Sequence, residues 1–335
     1  MNTPPQIAIA ILNYNGLDLL KQFLPQVISN SSEGNIYIID NGSDDDSIYW
    51  IKTNYPSVKI ISLDNNFGYA RGYNQGVQQI KEPLICFLNN DVQVPKNWLE
   101  PILMEFDSKP QISIAQPLIL NYKQPKYFEY AGAGGGYLDF FGFPYCRGRI
   151  FNRLKKVTSI DKTTRSIFWA SGACFLVKKE VFMIVGGFDE DFFCYHEEID
   201  FCWRAKRYGY SIAAIGQSQV YHLGSGSNIG LPSKVFYNHR NSLMMLVKNL
   251  PLTYLIIILP CRLLMDFFIG FVYLFQFRWA SLKALVFSHW SFFRTFPRLI
   301  QKRKSLKKYP FIKHFKQFSI LSLYSKEKTK KHFNI

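Results

Sequence analysis

The first part of the chain alternates short apolar runs with helical stretches in the βαβ manner. Ile7–Leu12 is a continuous apolar run, too short for a helix and suited to a strand covered on both faces. A helix is predicted over about Leu17–Ile28, strands over Ile36–Ile39 and Val58–Leu63, a helix over about Tyr69–Ile80 and a fourth strand over Leu84–Leu88. Each strand ends in a polar cluster: Asn13-Tyr14-Asn15-Gly16, Asp40-Asn41-Gly42-Ser43-Asp44, Asp64-Asn65-Asn66 and Asn89-Asn90-Asp91. Open parallel sheets bind ligands beyond the carboxyl ends of their strands, so these clusters predict one binding edge.

From about Asn121 to Arg165 the pattern loosens into a segment crowded with glycine, aromatics and proline, read as a loop-rich insertion. Its Gly132-Ala133-Gly134-Gly135-Gly136 run lacks the GK[ST] ending of a phosphate-cradling loop. Regular structure is expected again at Ile167–Val177, a strand interrupted by Gly172, and through Phe188–Arg207.

The last third changes character. Leu252–Leu259 and Leu263–Phe275 are strongly apolar, but each is shorter than the roughly 18–20 residues a spanning helix needs. Joined, they would be long enough, burying Arg262 and Asp266, which are spaced to pair on one helical face. Phe287, Trp290, Phe292, Phe293 and Phe296 then interleave with Lys283 and Arg294, and a polybasic stretch follows over Arg298–Lys316. Aromatics with flanking bases are typical of helices lying in the membrane interface, so monotopic attachment is expected ahead of a true span or a soluble helical domain. The expected division is an α/β domain over 1–248 and a membrane-association region over 249–335.

Charge sharpens this picture. The formal net charge is +16, yet the residues from Arg278 onward hold 15 Lys or Arg and one acid, Glu327. The first 277 residues hold 25 bases against 23 acids. A neutral body with a basic end implies a polyanion met at that end. A nucleic-acid binder would mix its bases with exposed aromatics on a folded platform. Here the bases follow apolar helices, so an anionic membrane surface is expected and nucleic acid is not. With 48% hydrophobic and 19% charged residues the chain is not of disordered composition. The six cysteines form no C-x-x-C pair and read as buried thiols of a reducing compartment, and Cys194, His196 and Cys202 match no common zinc spacing. Polar and proline residues lead directly into the first strand, so no secretory signal is expected.

Several residues carry chemistry. Asp40 at the end of the second strand can accept the imide N–H of uracil or thymine, and it also suits a turn with Ser43 or Asp44 capping the next helix. Tyr14 at the neighbouring strand end offers an aromatic face to a base. Asp91 follows an apolar strand, where a carboxylate can share Mg²⁺ or Mn²⁺ with a diphosphate. Glu197, Glu198 and Asp200 crowd a segment otherwise built of aromatics, and mutual repulsion with partial desolvation favours a general base. Asp200 is expected to pair with Arg204 at i,i+4, leaving Glu198 for chemistry. His222 precedes Leu223-Gly224-Ser225-Gly226-Ser227, which suggests a mobile loop near phosphates.

Asn-Tyr-Asn-Gly, Asp-Asn-Gly-Ser-Asp, Asn-Asn-Phe-Gly-Tyr-Ala, Leu-Asn-Asn-Asp, Ala-Ser-Gly-Ala and Tyr-His-Glu-Glu-Ile-Asp-Phe-Cys-Trp-Arg occur in one order. Over about residues 6–250 the chain thereby resembles the family 2 inverting glycosyltransferases, especially the bacterial rhamnosyltransferase-like branch. The resemblance implies a GT-A fold, a Rossmann-like mixed sheet flanked by helices. It implies that Asp40 reads the pyrimidine, that Asp91 binds the metal (Mg²⁺ or Mn²⁺) and that His222 completes that site. It further places Tyr14, Asn15, Gly68, Asn74, Asn89, Asn90 and Gly172 around the donor, with Glu198 as base beside Glu197. Glu198 stands where the family usually has Asp, Phe201 replaces Leu, and Asn89 replaces the first Asp of the metal motif. A single carboxylate on the metal implies weak or exchangeable binding.

The mechanism implied by the resemblance is single displacement with inversion. A sugar, best assigned as rhamnose from dTDP-rhamnose, moves from its nucleotide-sugar donor to a lipid-linked saccharide at the cytoplasmic face of the bacterial inner membrane. A nucleotidyltransferase would need a basic glycine-rich loop where Asn13–Asp18 stands. A degenerate saccharide binder would not be expected to keep Asp40, Asp91, Glu198 and His222 together.

Overall fold

In the computed structural model, residues 7–129, 132–150, 153–224, 230–306, 310 and 312–320 are described. The first half follows the βα alternation of the apolar pattern: β1 (Ile7–Asn13), α1 (Leu17–Ser29), β2 (Gly34–Asp40), α2 (Ser47–Asn54), β3 (Lys59–Ser62), α3 (Gly68–Gln79) and β4 (Leu84–Asn89). Next come β5 (Val92–Gln93), α4 (Glu100–Ser108) and β6 (Ile112–Asn121). After an inserted segment, the sheet resumes with β11 (Arg165–Ser166) and β12 (Cys174–Lys178), then α5 (Lys179–Val185), α6 (Glu197–Arg207) and β13 (Ser211–His222).

The strand order is β11-β13-β6-β12-β4-β1-β2-β3, with β5 paired to β13. β1, β2, β3 and β4 run parallel, and β12 enters antiparallel between β4 and β6. Both faces are covered. Ala8, Ala10, Ile39 and Phe87 point into one buried cluster, while Ile7, Ile9, Ile11 and Leu88 point into another. That double burial is why β1 and β4 read as unbroken apolar runs rather than alternating ones. On α1, Leu20, Phe23, Leu24 and Val27 recur at helical spacing and are buried.

Three expectations are revised. The segment read as loop-rich is largely a second sheet: β7 (Gly136–Asp139), β8 (Pro144–Cys146), β9 (Arg149–Ile150) and β10 (Arg153–Leu154), in the order β10-β9-β8-β7-β14. Its last member, β14 (Phe315–Gln317), arrives from the far end of the chain and runs parallel to β7. The glycines here permit close packing. A Cβ at Gly136 would lie 2.0 Å from the Trp169 ring, whose Nε1 donates to the Tyr137 carbonyl at 3.0 Å. The strand expected at Ile167–Val177 is confined to β12, because residues 169–173 bond to Gly136, Gln116 and Cys202 rather than along a ladder.

The third revision concerns the apolar end. α7 (Leu231–Asn249) is followed by α8 (Leu252–Phe275) and α9 (Trp279–Leu306). α8 is one helix through Pro260, long and apolar enough to cross a membrane by length and composition, with mean hydropathy 2.2. Arg262 and Asp266 share its inward face with Leu255 and Ile258 and feel each other's charge, but each makes its hydrogen bonds with other residues. Arg262 donates to the Phe141 carbonyl (3.0 Å) and the Ser242 hydroxyl (2.6 Å) and lies 3.7 Å from the Phe143 ring centroid. Asp266 bridges His239 of α7 (2.9 Å) and His289 of α9 (3.2 Å). The outward face is apolar, with Ile256, Ile257, Leu264, Phe267, Phe268 and Phe271 exposed. One buried cluster runs from Phe87 through Leu246 to Phe292 and Leu299, so the boundary expected at residue 249 crosses continuous packing.

Candidate active site

The parallel register brings the polar strand ends together. Asn13 lies opposite Asp40, and Leu12 lies opposite Asn89. Asn90 donates to the Asn13 side-chain oxygen at 3.2 Å, and Asn13 donates to Ser47 at 3.1 Å. Asn15 has a left-handed backbone (φ 49°); its amide N–H donates to Ser43 Oγ at 3.0 Å, and its side-chain oxygen accepts from the Asp44 N–H at 2.9 Å. Asn15 thus ties the β1 turn to the β2 turn, and the Ser43 hydroxyl serves that tie rather than capping α2. Tyr14 stands half exposed beside it. Asp40 is buried, burial raises its carboxyl pKa above the usual range, and its Oδ1 has no hydrogen-bond partner. Ser43 and Asn13 hydrogen-bond the carboxylate, and the remaining buried acceptor, Oδ1, suits a ligand carrying an N–H.

Asp91 follows β4, and β13 ends at His222 beside it, with Nε2 3.1 Å from Asp91 Oδ1. The other ring nitrogen of His222 lies 3.4 Å from Glu129 Oε2. Burial pushes the imidazole pKa down, but hydrogen bonds and charge from Asp91 and Glu129 outweigh it and leave it at about 10. Among the described residues no group of three or more His, Cys, Asp or Glu is arranged to hold a metal ion. Asp91 offers an oxygen, and His222 offers a nitrogen once a cation displaces its ring proton. Such a partial donor set fits a Mg²⁺ or Mn²⁺ that takes its other ligands from phosphate and water. Residues 225–227, expected as a loop near phosphates, lie outside the described residues.

Across a cleft of about 470 Å³ from His222 and Asn89 stand Glu197 and Glu198, at the start of α6. Phe193, Tyr195 and His196, just before them, all have positive φ (61°, 66° and 70°). Non-glycine residues hold such angles only when the surroundings impose them. Here Asn241 of α7 donates to the carbonyls of Phe192, Cys194 and Tyr195 at 2.8–2.9 Å. Arg240 donates to those of Asp191 and Phe192. Lys302 and Arg298 of α9 bind Asp191 at 2.8 and 2.9 Å. Burial raises the Glu198 carboxyl to about 7 against backbone N–H groups of Glu198, Ile199 and Gly172 that favour its charged form. Burial and then the Glu198 charge push Glu197 well higher. Beside them, burial holds the His196 imidazole down at about 3, hence neutral.

Asp200 takes the structural part expected of it. It accepts from Arg204 at 2.8 Å, and also from Lys248 and Asn249 at 2.8 Å. Gly172 lines the cleft, and its carbonyl accepts from Tyr69 Oη at 2.7 Å. Gly68 and Asn74 are placed away from the cleft surface. Gly68 packs beneath Phe193, and the Asn74 amide holds the Phe188 backbone at 2.8 and 2.9 Å, joining α3 to the segment before α6. Sequence reasoning missed Glu129, Tyr69 and Asn241. Tyr69 lay inside a recognised motif, while Glu129 and Asn241 carried no local signal.

The family model described as glycosyl transferase family 2 matches residues 8–185, which run from β1 through α5. This chain belongs to that family. It is 27% identical to the low-salt glycan biosynthesis hexosyltransferase Agl10 of Haloferax volcanii over 64% of this chain and 65% of that protein. It is 24% identical to the N-acetylglucosaminyl-diphospho-decaprenol L-rhamnosyltransferase of Mycobacterium tuberculosis over 70% of this chain and 82% of that protein. Among solved structures, GalNAc-T7, crystallised with UDP, GalNAc and Mn²⁺, superposes with a TM-score of 0.56 at 17% identity, covering 73% of this chain and 48% of that one. The chain therefore has the GT-A architecture of its family, with Asn89 at the end of the parallel strand β4 lining the cleft.

Proposed function

We propose that the chain is an inverting glycosyltransferase of cell-surface polysaccharide synthesis, moving a sugar from a nucleoside-diphosphate donor to a hydroxyl of a lipid-linked saccharide. The observation that carries this reading is the cleft itself. Glu198, its carboxyl raised to about 7, shares the lining with Asn89 at the end of β4 and with His222, the partner of Asp91. Asp40 ends β2, two strands along the same sheet edge. A base opposite a leaving-group site is the geometry single displacement requires.

In this mechanism Glu198 takes the proton of the acceptor hydroxyl while its oxygen bonds to the anomeric carbon. The bond from that carbon to the diphosphate oxygen breaks, and the electron pair leaves with the nucleoside diphosphate. Asp40 accepts the imide N–H of the pyrimidine, Tyr14 packs on the base, and Asp91 with His222 would hold Mg²⁺ or Mn²⁺. Bound there, the cation neutralises charge on the departing diphosphate. Burial and the Glu198 charge raise the Glu197 carboxyl, which disfavours a second negative charge beside the base.

The name of the mycobacterial relative supports rhamnose as the sugar moved, with dTDP-rhamnose the donor we favour, and a diphosphate-linked lipid saccharide as acceptor. α8 supports attachment to a membrane, since its charges face the protein and its apolar residues face outward. We place the enzyme on the cytoplasmic face of the bacterial inner membrane, where nucleotide sugars are made, bound monotopically to anionic lipid.

The test is nucleoside diphosphate release by the membrane-bound protein with Mn²⁺ and lipid-linked acceptors across a panel of nucleotide sugars. Release from one donor, abolished by Glu198→Gln, is expected. Failure of every nucleoside diphosphate to bind would overturn the reading.

A further inference from the structure

The five-stranded second sheet has no part in the sheet edge that receives the donor, yet it forms a wall of the same cleft. Pro144 and Tyr145 of β8, Arg149 of β9 and the adjoining Trp169 line the side built by that sheet. Lys234 and Asn238, from the first turns of α7, line it as well. We propose that this wall is the acceptor subsite, taking a saccharide that carries a diphosphate, with Tyr145 as the sugar platform and Lys234 as the anion contact.

Three observations support the assignment, which rests on the glycosyltransfer reading. First, the wall is aromatic where a sugar ring needs it. Tyr145 is half buried, lies opposite Tyr137 in the β7–β8 register and has its ring centroid 5.7 Å from that of Tyr137. Trp169 is fixed by its Nε1 bond to the Tyr137 carbonyl. Tyrosine and tryptophan faces cover the apolar C–H surface of a pyranose at small entropic loss, since few torsions are frozen. Secondly, Lys234 and Arg149 put cationic side chains in the same lining that holds Glu198. A diphosphate is attracted to those cations, which leaves the acceptor hydroxyl to meet Glu198.

Thirdly, this wall is fastened to the apolar helices. Arg262 of α8 holds the Phe141 carbonyl and lies over Phe143 in the β7–β8 turn. Phe140 stacks on Phe318 (5.3 Å, 19°), in the strand-end segment that follows α9 and completes the sheet. Ile320 of that segment lines the cleft. The subsite is therefore built from the elements that carry the outward apolar face, as a head group attached to a lipid would require.

The experiment measures binding by the full-length chain, with dTDP and Mn²⁺ present, of three probes. They are a short-chain prenyl-diphospho-N-acetylglucosamine, the same prenyl chain joined to N-acetylglucosamine without the diphosphate, and the prenyl diphosphate alone. Tyr145→Ala is expected to weaken both sugar-bearing probes at least tenfold, and Tyr145→Phe to retain binding because the ring remains. Lys234→Gln is expected to weaken only the two diphosphate probes. dTDP affinity should stay unchanged in all three variants, and melting temperature in Tyr145→Phe and Lys234→Gln, while Tyr145→Ala melts lower for loss of its packing on Tyr137. Binding of the probes that is undetectable, or indifferent to Tyr145→Ala and Lys234→Gln while dTDP still binds, overturns the subsite. Loss of dTDP binding in the unaltered chain is a different result, because it strikes the glycosyltransfer reading itself.

Discussion

Gly68 lies directly under Phe193. A Cβ at Gly68 would sit 2.5 Å from Phe193 Cδ2 and 2.6 Å from the Phe193 carbonyl oxygen, and Gly68 has φ +75°. That carbonyl accepts the N–H groups of Tyr69 and Ala70 at 2.7 and 3.2 Å, so the start of α3 seats the strained turn that leads to Glu197. Gly68→Ala must therefore shift Phe193 and also hold a left-handed backbone, which alone costs about 1–2 kcal/mol. Expected is a lower melting temperature together with a fall in transfer rate, at unchanged Mn²⁺-dependent nucleotide affinity. Full activity in Gly68→Ala would show that the turn tolerates displacement.

Asn241 holds the other side of that turn through three carbonyls, and it is fully buried. Asn241→Ala removes the amide donor from all three carbonyls, although Phe192 keeps Arg240, and a buried group left unsatisfied costs about 1–3 kcal/mol. Asn241→Asp is expected to be worse than Ala, because a carboxylate supplies no donor and sets charge against three oxygen atoms. Thermal melts of the two variants check the order. An Asp variant more stable than Ala would mean the amide does not donate as the distances indicate.

Glu198 makes the pH dependence specific. Its folded-state pKa is raised to about 7 by burial, and only the deprotonated form accepts a proton. Transfer should therefore rise as pH rises through about 7 and level above it. Glu198→Gln should lose on the order of 10²–10⁴-fold in turnover. Burial is the leading cause of the Glu198 shift, so the rising limb should stay near 7 in Glu197→Gln. A limb displaced by a full unit in that variant would assign the shift to the pair instead.

The parallel strands and their polar ends were readable because strands buried on both faces leave apolar runs, and the residues that stop them are the ones beyond the sheet. Asp200 and Arg204 were readable because four residues on a helix is itself a contact. Glu129 and Asn241 were not, since each acquires its partner only when distant segments are packed together: Glu129 meets His222, and Asn241 meets Cys194. The second sheet was hidden by strands of two to four residues and by a member, β14, contributed from the far end of the chain. Arg262 looked like an interruption of an apolar run because nothing local reveals that it faces Phe141 and Ser242.

Asp91 and His222 predict how nucleotide binding depends on metal. With one carboxylate in the pair, the cation should be held weakly alone and well only with a diphosphate present. Calorimetry with dTDP is expected to show tighter binding with Mn²⁺, reversed by EDTA, and Asp91→Ala should abolish the difference while leaving metal-free nucleotide binding. An equal Mn²⁺ effect in Asp91→Ala would move the cation elsewhere.

The outer face of α8 can be tested apart from its inner one. Phe267 and Phe268 are 60% and 59% exposed, while Arg262 and Asp266 on the same helix are 2% and 1% exposed. A Phe side chain moved out of water contributes about 1.5–3 kcal/mol, so Phe267→Glu with Phe268→Glu should lower vesicle partitioning by about a hundredfold or more. The melting temperature in detergent should hold, because neither ring packs in the core. Arg262→Leu makes the helix more apolar, yet it should destabilise the fold by removing the bonds to Phe141 and Ser242 and so gain nothing in membrane binding. Co-sedimentation with phosphatidylglycerol vesicles, paired with a melt, reads both. If the double Glu variant sediments as the unaltered chain does, α8 does not face the lipid.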